Sequence, residues 1–282
     1  MKRFLCLLLA LLLPCAALAA DSLPVGGAAP YPPVESALSA DGMSYDDGTI
    51  SVRVETDEAY GTPVYYVYVT ITDPTQLRTA LAADWPSKRV RTAVSMAENN
   101  NAVLAINGDY FAYHSEGIVY RGGQKLRWNP RAGRDTLIID RAGDFHLIAP
   151  TDSDTVAAFE EDLREVFCFG PALIIDGEVQ EFNYKQKTSC GYPTPAQRIV
   201  LCQLDTLSYL IVACEGPEQD KSYGLNVPQM TELCAARGVK QAYNLDGGSS
   251  VAIILCGRRI NPVGSNERKI GDIIYFATLR EE

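Results

Sequence analysis

Two short segments and one arginine concentrate groups that could do acid–base or anion-binding chemistry. Asn107-Gly108-Asp109-Tyr110-Phe111 follows an apolar run from Ala102 to Ile106. Asn244-Leu245-Asp246-Gly247-Gly248-Ser249-Ser250 stands between a helical stretch closing at Gly238 and an apolar run from Val251. Arg198 opens a pair of apolar runs. Polar groups at strand ends beside glycine turns are where sites are commonly built. Carboxylates there can act as acids or bases, and glycines let a ligand approach backbone N–H groups that cradle anionic oxygens. Asn-Gly and Asp-Gly are also ordinary turn dipeptides, so residue type alone leaves a plain tight turn open at each place.

Other chemistries fit less well. Gly248-Ser249-Ser250 could carry a nucleophilic serine, but no G-x-S-x-G is present. His114 and His146 are the two histidines. His146 alternates with Phe145 and Leu147 as in a strand, which leaves a Ser-His-Asp triad weakly supported. Two histidines exclude a His-rich metal site, and no C-x-x-C pair points to zinc. A divalent-metal phosphodiesterase built on Asp109, Asp246 and Glu215 is a third reading, since carboxylates suit hard cations. No spacing demands a metal, and no cofactor is expected.

Taken in order, the segments resemble the phosphodiester glycosidase family, which includes bacterial exopolysaccharide-associated proteins and the animal enzyme that uncovers mannose-6-phosphate. The likeness runs over roughly residues 46–278. Its pieces are Ala105 through Phe111, Arg121-Gly122-Gly123, Phe169-Gly170-Pro171-Ala172-Leu173, Arg198, Glu215-Gly216, Ser222-Tyr223-Gly224, Ala242 through Ser250, and Arg268 through Phe276. The chain departs from the family pattern at three places. Gln197-Arg198-Ile199 stands for Pro-Arg-Thr, Glu215-Gly216-Pro217 for Asp-Gly-Arg, and Ser249 for a third glycine.

The resemblance implies hydrolysis of a sugar-1-phosphodiester in cell-surface or extracellular glycan metabolism. Such a reaction develops oxocarbenium character at the anomeric carbon, which carboxylates stabilise. The departing phosphate needs an arginine and backbone N–H groups. On motif position and residue chemistry, Asp246 is the leading catalytic carboxylate, with Asp109 or Glu215 as its partner. Arg198 is the leading phosphate ligand and Arg121 the second. Asn107 and Asn244 orient the sugar or the carboxylates, Gly247 and Gly248 offer backbone donors, and Ser250 binds the phosphate. The alternative is a non-catalytic surface module that binds phosphorylated or anionic glycans. The arginine missing at Pro217 and a Pro/Gly-rich leader motivate it.

The elements that must position these residues read as an α+β fold, a hairpin-rich mixed β-sheet core with a few packed helices. Strand patterns cover 49–54, 64–71, 102–106, 172–175, 199–204, 207–213, 251–255 and 273–279. Hairpins are expected around Arg121-Gly122-Gly123-Gln124 and between 137–140 and 145–148. Asp73-Pro74 is expected to open a helical stretch through Leu77 and Leu81. Ser87 is expected to cap a helix through Val90, Val94 and Ala97. Val156, Phe159, Leu163 and Val166 read as one amphipathic helix. Asn226 caps another, with Pro228 in its first turn.

Composition frames the rest. Of 282 residues, 25 are Lys or Arg and 35 Asp or Glu, a net charge of −10. That balance argues against nucleic acid as a partner. A glycan or sugar phosphodiester is the expected ligand. Lys2 and Arg3, the apolar run from Phe4 to Leu13, and Ala17-Leu18-Ala19 describe a secretory signal peptide over residues 1–20. Export to the cell surface or medium follows, with membrane contact only through the transient signal or an uncleaved anchor. Residues 21–44 are expected as a tether, because prolines and glycines interrupt every period. Residues 45–282 form the catalytic-sized domain. Six cysteines remain after export: Cys168, Cys190, Cys202, Cys214, Cys234 and Cys256. Disulfides and buried free thiols are both open for them.

Overall fold

The computed structural model describes residues 22–131, 133–181, 193–264 and 267–281. The expected signal peptide and Cys190 lie outside the described residues. The first strands are β1 (Ser44–Asp46), β2 (Ile50–Ala59), β3 (Thr62–Ile71) and β4 (Leu77–Leu81). Helix α1 (Ala93–Asn99) precedes β5 (Leu104–Asn107), β6 (Gly117–Arg121), β7 (Gln124–Asn129), β8 (Thr136–Asp140) and β9 (Phe145–Ile148). Helix α2 (Ser153–Ala157) leads to β10 (Leu163–Phe167), β11 (Ala172–Ile175), β12 (Glu178–Val179), β13 (Arg198–Asp205) and β14 (Ser208–Cys214). Helix α3 (Val227–Ala235) is followed by β15 (Gln241–Asn244), β16 (Ile253–Leu255), β17 (Arg258–Arg259) and β18 (Asp272–Phe276).

Strands dominate and the helices are few, as the residue patterns imply. Three sheets form, in the orders β1-β2-β3-β14-β13-β15-β11-β12, β7-β6-β10-β8-β9 and β17-β16-β5-β18-β4. Every described strand pairing is antiparallel, rather than mixed in direction. Side chains alternate across each strand, so a strand buried on both faces feeds two cores. Ile199 and Leu201 of β13 join the largest core with Leu104, Ile106, Leu137 and Ile139 from the two smaller sheets. Val200 and Cys202 face the other way, onto Val227, Met230 and Cys234 of α3. The described cysteines, 168, 202, 214, 234 and 256, are free thiols, and 202, 214 and 234 are buried as small apolar groups.

Local patterns failed where a distant strand competed. Asp73 closes a capping box with Gln76 around a single 3-10 turn, Pro74–Gln76. The chain then becomes β4, because β18 offers it a full antiparallel ladder from Leu81 to Leu77. Thr92, not Ser87, caps α1, since Arg91 first bridges to Ile270. The helix expected from Val156 to Val166 is split: α2 ends at Ala157, and Leu163 and Val166 lie in β10, paired with β8 across a register shift. Asn226 does cap α3, with its side chain accepting from the Gln229 N–H at 2.9 Å.

The stretch expected as a tether is docked instead. Leu23 and Ala29 are buried in the core cluster that includes Met96 of α1. Prolines and glycines prevent a regular period, yet the carbonyls they leave unpaired still need donors. Arg78 supplies them, donating to the carbonyls of Pro24 at 3.0 Å, Gly26 at 3.1 Å and Gly27 at 3.2 Å. Residues 22–44 are thus part of the domain's packed surface.

Candidate active site

The three sheets meet where β5, β6 and β15 end and β18 begins. Asn107 and Ile273 are register partners on adjacent strands, which sets Asp272 beside the Asn107-Gly108 turn. Gly108 is required here, because a Cβ would stand 2.2 Å from an Asp272 carboxylate oxygen. Asn107 ties this turn to the Asp246 loop. Its Nδ2 donates to the Asp246 carbonyl at 2.8 Å, and its Oδ1 accepts from the Ala252 N–H at 3.1 Å. Asn244 is likewise engaged with backbone, donating to the Gly170 carbonyl at 2.9 Å. Both asparagines hold loops in place, and through its bond to the Asp246 carbonyl Asn107 holds the loop that carries that carboxylate.

Arg121, at the end of β6, is enclosed by carboxylates. Its Nε and Nη2 donate to Asp272 at 2.9 and 2.6 Å, and Nη2 also donates to Asp109 at 3.0 Å. Nη1 donates to the carbonyls of Tyr120 and Val166 at 2.8 and 2.6 Å. The guanidinium also lies 4.0 Å from the Phe167 ring centre and 5.4 Å from that of Phe111. All five N–H groups are engaged inside the protein. Arg121 therefore organises the site and has no donor left for a phosphate, contrary to the expectation. Asp109 is fully engaged too, accepting from Arg121, from the Phe111 N–H at 3.2 Å and from the Cys168 N–H at 2.9 Å.

Asp246 lies two residues beyond β15, and it is 8% exposed. Burial pushes its carboxyl up from the ordinary 3.8 to about 6. Hydrogen bonds from Ser250 and the Gly247 N–H, and the nearby Arg268, pull the other way. Asp272 is also pushed up by burial and by the like charges of Asp109 and Asp246, while Arg121 draws it down. Gly247 has no room for a side chain, since a Cβ would lie 2.7 Å from the Gln197 carbonyl oxygen. That same carbonyl accepts the Gly248 N–H at 2.8 Å. The loop after Asp246 is thereby fastened to the start of β13.

Arg268 completes the cluster, and residue-by-residue reasoning missed both it and Asp272. Its Nη1 lies 3.9 Å from Asp246 Oδ2 and 3.5 Å from Ser250 Oγ. Its side chain is 43% exposed. The only sequence signal for the two was their place in the segment from Arg268 to Phe276. A narrow cavity of about 10 Å³ is lined by Asn107, Gly108, Tyr110, Tyr113, Asp246, Ile270, Gly271 and Asp272. That is room for about one water. A roomier hollow of about 350 Å³ lies along β4 and the β6–β7 turn; Arg121 lines it, but Asp246 and Arg268 do not.

Two further expected site residues have described partners of their own. Glu215 accepts the Tyr65 hydroxyl at 2.7 Å, and no described contact joins it to Asp246 or Asp109. Burial and that carboxylate raise the Tyr65 hydroxyl pKa. Arg198 is buried and donates to the carbonyls of Leu225 at 3.0 Å and Thr194 at 2.8 Å. Its backbone runs beneath Gly247, whose Cβ position is 3.9 Å from the Arg198 Cα. Among the described residues no three His, Cys, Asp or Glu side chains are arranged to hold a metal ion. Asp109, Asp246 and Glu215 do not form such a set.

The family model for phosphodiester glycosidases matches residues 100–277, a span that contains every residue of this cluster. The chain belongs to the phosphodiester glycosidase family. Its fold is similar to that of the zebrafish N-acetylglucosamine-1-phosphodiester alpha-N-acetylglucosaminidase catalytic domain, described as auto-inhibited by its pro-peptide. That match has a TM-score of 0.65 and 15% identity, and it covers 81% of this chain and 82% of the other. A hypothetical protein from Synechocystis is similar at a TM-score of 0.57 and 14% identity, over 80% of this chain and 62% of that one. No protein of curated function matches in sequence. At these identities the likeness to solved structures speaks for the fold, and the family match for phosphodiester glycosidase chemistry.

Proposed function

We propose that the protein is an exported hydrolase that cleaves the bond between a sugar's anomeric carbon and a phosphodiester oxygen. The observation that carries this reading is the pairing of a buried, readily protonated Asp246 with the half-exposed guanidinium of Arg268, 3.9 Å away. A carboxylate serves the positive charge that develops at the anomeric carbon. A guanidinium with donors to spare serves the negative charge that leaves with the phosphate. In the reaction, the bond from C1 to the phosphate oxygen breaks and its electron pair leaves with the phosphomonoester. A water oxygen adds to C1 and gives up its proton to the Asp246 carboxylate, which passes it on to solvent or the departing phosphomonoester.

Asp246 is the catalytic carboxylate of this scheme, and Arg268 holds the phosphate in place of the engaged Arg121. Ser250 lies beside both and donates to Asp246. Asp109 and Asp272 act through Arg121, whose buried charge they balance. Asp109, Asp246 and Asp272 thus face the guanidinium groups of Arg121 and Arg268. The signal-like residues 1–20 support action outside the cytoplasm, on cell-surface or extracellular glycans. The test is direct incubation of the purified chain with defined sugar-1-phosphodiesters, reading free sugar and phosphomonoester. Wild type should turn over and Asp246→Asn should not. Tight binding without any turnover would favour the glycan-binding module instead.

A further inference from the structure

We propose that Tyr110 is a positioning residue, whose ring seats the Arg268 guanidinium beside Asp246 and Ser250, where the substrate phosphate docks. The inference rests on the glycosidase reading of the site.

The backbone at Tyr110 is left-handed, with φ 70 and ψ 15. A bulky side chain adopts that conformation only where the surroundings impose it, and such residues gather at functional sites. The consequence is local and specific. Asp109 and Phe111, on either side, both turn inward onto Arg121. Tyr110, between them, lies with its ring against Tyr113, His114 and Arg268. The Tyr113 ring stacks on it with centroids 4.5 Å apart and planes at 16°. His114 meets it edge-on at 5.0 Å. The Tyr113 hydroxyl donates to the carbonyl of Lys269 at 3.0 Å, which ties the stack to the residue after Arg268. The Arg268 guanidinium carbon lies 5.8 Å from the Tyr110 ring centre, a cation–π distance.

This seat matters because Arg268 has few other restraints. Its side-chain contacts among the described residues are the Tyr110 ring, Ser250 Oγ at 3.5 Å and Asp246 at 3.9 Å. A half-exposed arginine with free donors would otherwise sample many rotamers. One tripeptide thus organises two arginines, the buried Arg121 through Asp109 and Phe111, and the exposed Arg268 through Tyr110.

The experiment compares Tyr110→Phe, Tyr110→Gly and Arg268→Gln in the full chain. Inorganic phosphate binding is read by calorimetry, and the pH–rate profile is read on a sugar-1-phosphodiester. Arg268→Gln should weaken phosphate about tenfold, the loss of one charge-assisted contact. Tyr110→Gly should approach that loss, although glycine suits the left-handed backbone better than tyrosine. Tyr110→Phe keeps the ring and should bind phosphate as wild type does. The charged groups facing Asp246 are Arg268, which lowers its pKa, Asp109, which raises it, and Asp272, whose own carboxyl Asp246 pushes up. Displacing Arg268 should therefore move the acid limb of the profile upward in Tyr110→Gly and Arg268→Gln, and leave it in place in Tyr110→Phe. The proposal is overturned if Tyr110→Gly binds phosphate normally, or if its affinity and melting temperature fall together with no movement of the limb. A wild type that binds phosphate through Arg268 and Tyr110 but cleaves nothing would sink the glycosidase reading and leave the seat standing. A wild type that cleaves, alongside an unaltered Tyr110→Gly, would do the reverse.

Discussion

Replacing Asp246 by asparagine should abolish turnover and raise the protein's stability relative to wild type as the pH climbs from 4 to 8, by an amount that follows from burial. In the unfolded chain the carboxyl ionises near its ordinary 3.8, and in the folded protein near about 6. Unfolding above pH 6 therefore releases a carboxylate that the fold holds at a cost. The gap of about 2.2 pH units corresponds to about 3 kcal/mol, at about 1.4 kcal/mol per unit. The sign follows from the raised value. Below 3.8 the acid is protonated in both states and costs nothing. Between 3.8 and about 6 the cost grows, and above about 6 it is complete. The asparagine side chain cannot ionise, so the variant minus wild-type stability should rise by about 3 kcal/mol over that window and then level off. Lost contacts to Ser250, Gly247 and Arg268 lower the whole curve without changing its slope. Relief of repulsion on Asp272 moves the effect the same way. Urea denaturation of both proteins from pH 4 to pH 8 measures it. A stability difference that stays flat across that range would refute the burial argument, whatever happens to activity.

Three further outcomes follow from the same geometry. Arg121→Met removes the buried guanidinium that Asp109 and Asp272 share and should destabilise the fold by about 3 kcal/mol or more, read by thermal melting. Gly108→Ala drives a methyl to 2.2 Å from Asp272. It should cost about 1–3 kcal/mol by overpacking, with loss of turnover in the same variant. Glu215→Gln should retain turnover, escaping the roughly 10²–10⁴-fold loss of a general acid or base, because the described partner of Glu215 is the Tyr65 hydroxyl and not Asp246 or Asp109. A steady-state assay on a sugar-1-phosphodiester decides it.

Local chemistry was legible where the chain decides it locally. The Asn226 cap, the hairpins after Arg121 and between β8 and β9, and the apolar strand pair β13 and β14 all rest on neighbours a few residues apart. The Asp246 segment was legible as well, since its glycines and carboxylate form one continuous turn. Three readings failed for a shared reason. Leu77 and Leu81 share helical spacing, as do Leu163 and Val166, but these residues pair with strands from elsewhere in the chain. Helical spacing cannot register a partner that lies far along the sequence. The leader at 22–44 looked free because Arg78, which holds it, is more than 50 residues away.

The sequence by itself determined the residue inventory of the site: the Asn107–Phe111 turn, the Asp246 loop with its glycines, and the conjunction of carboxylates with arginines on an acidic chain. It also carried the family likeness, because an ordered set of motifs survives without coordinates. Only the tertiary structure decided which arginine is available. Arg121 and Asp272 are 151 residues apart, yet they share two hydrogen bonds, and those bonds take the cation out of play. Arg268 sits near Asp246 because β18 docks beside β5, with Tyr110 against its guanidinium. A side chain's type is written in the chain. Whether its charge is already neutralised depends on what packs around it, and in a low-dielectric interior that packing outweighs the type.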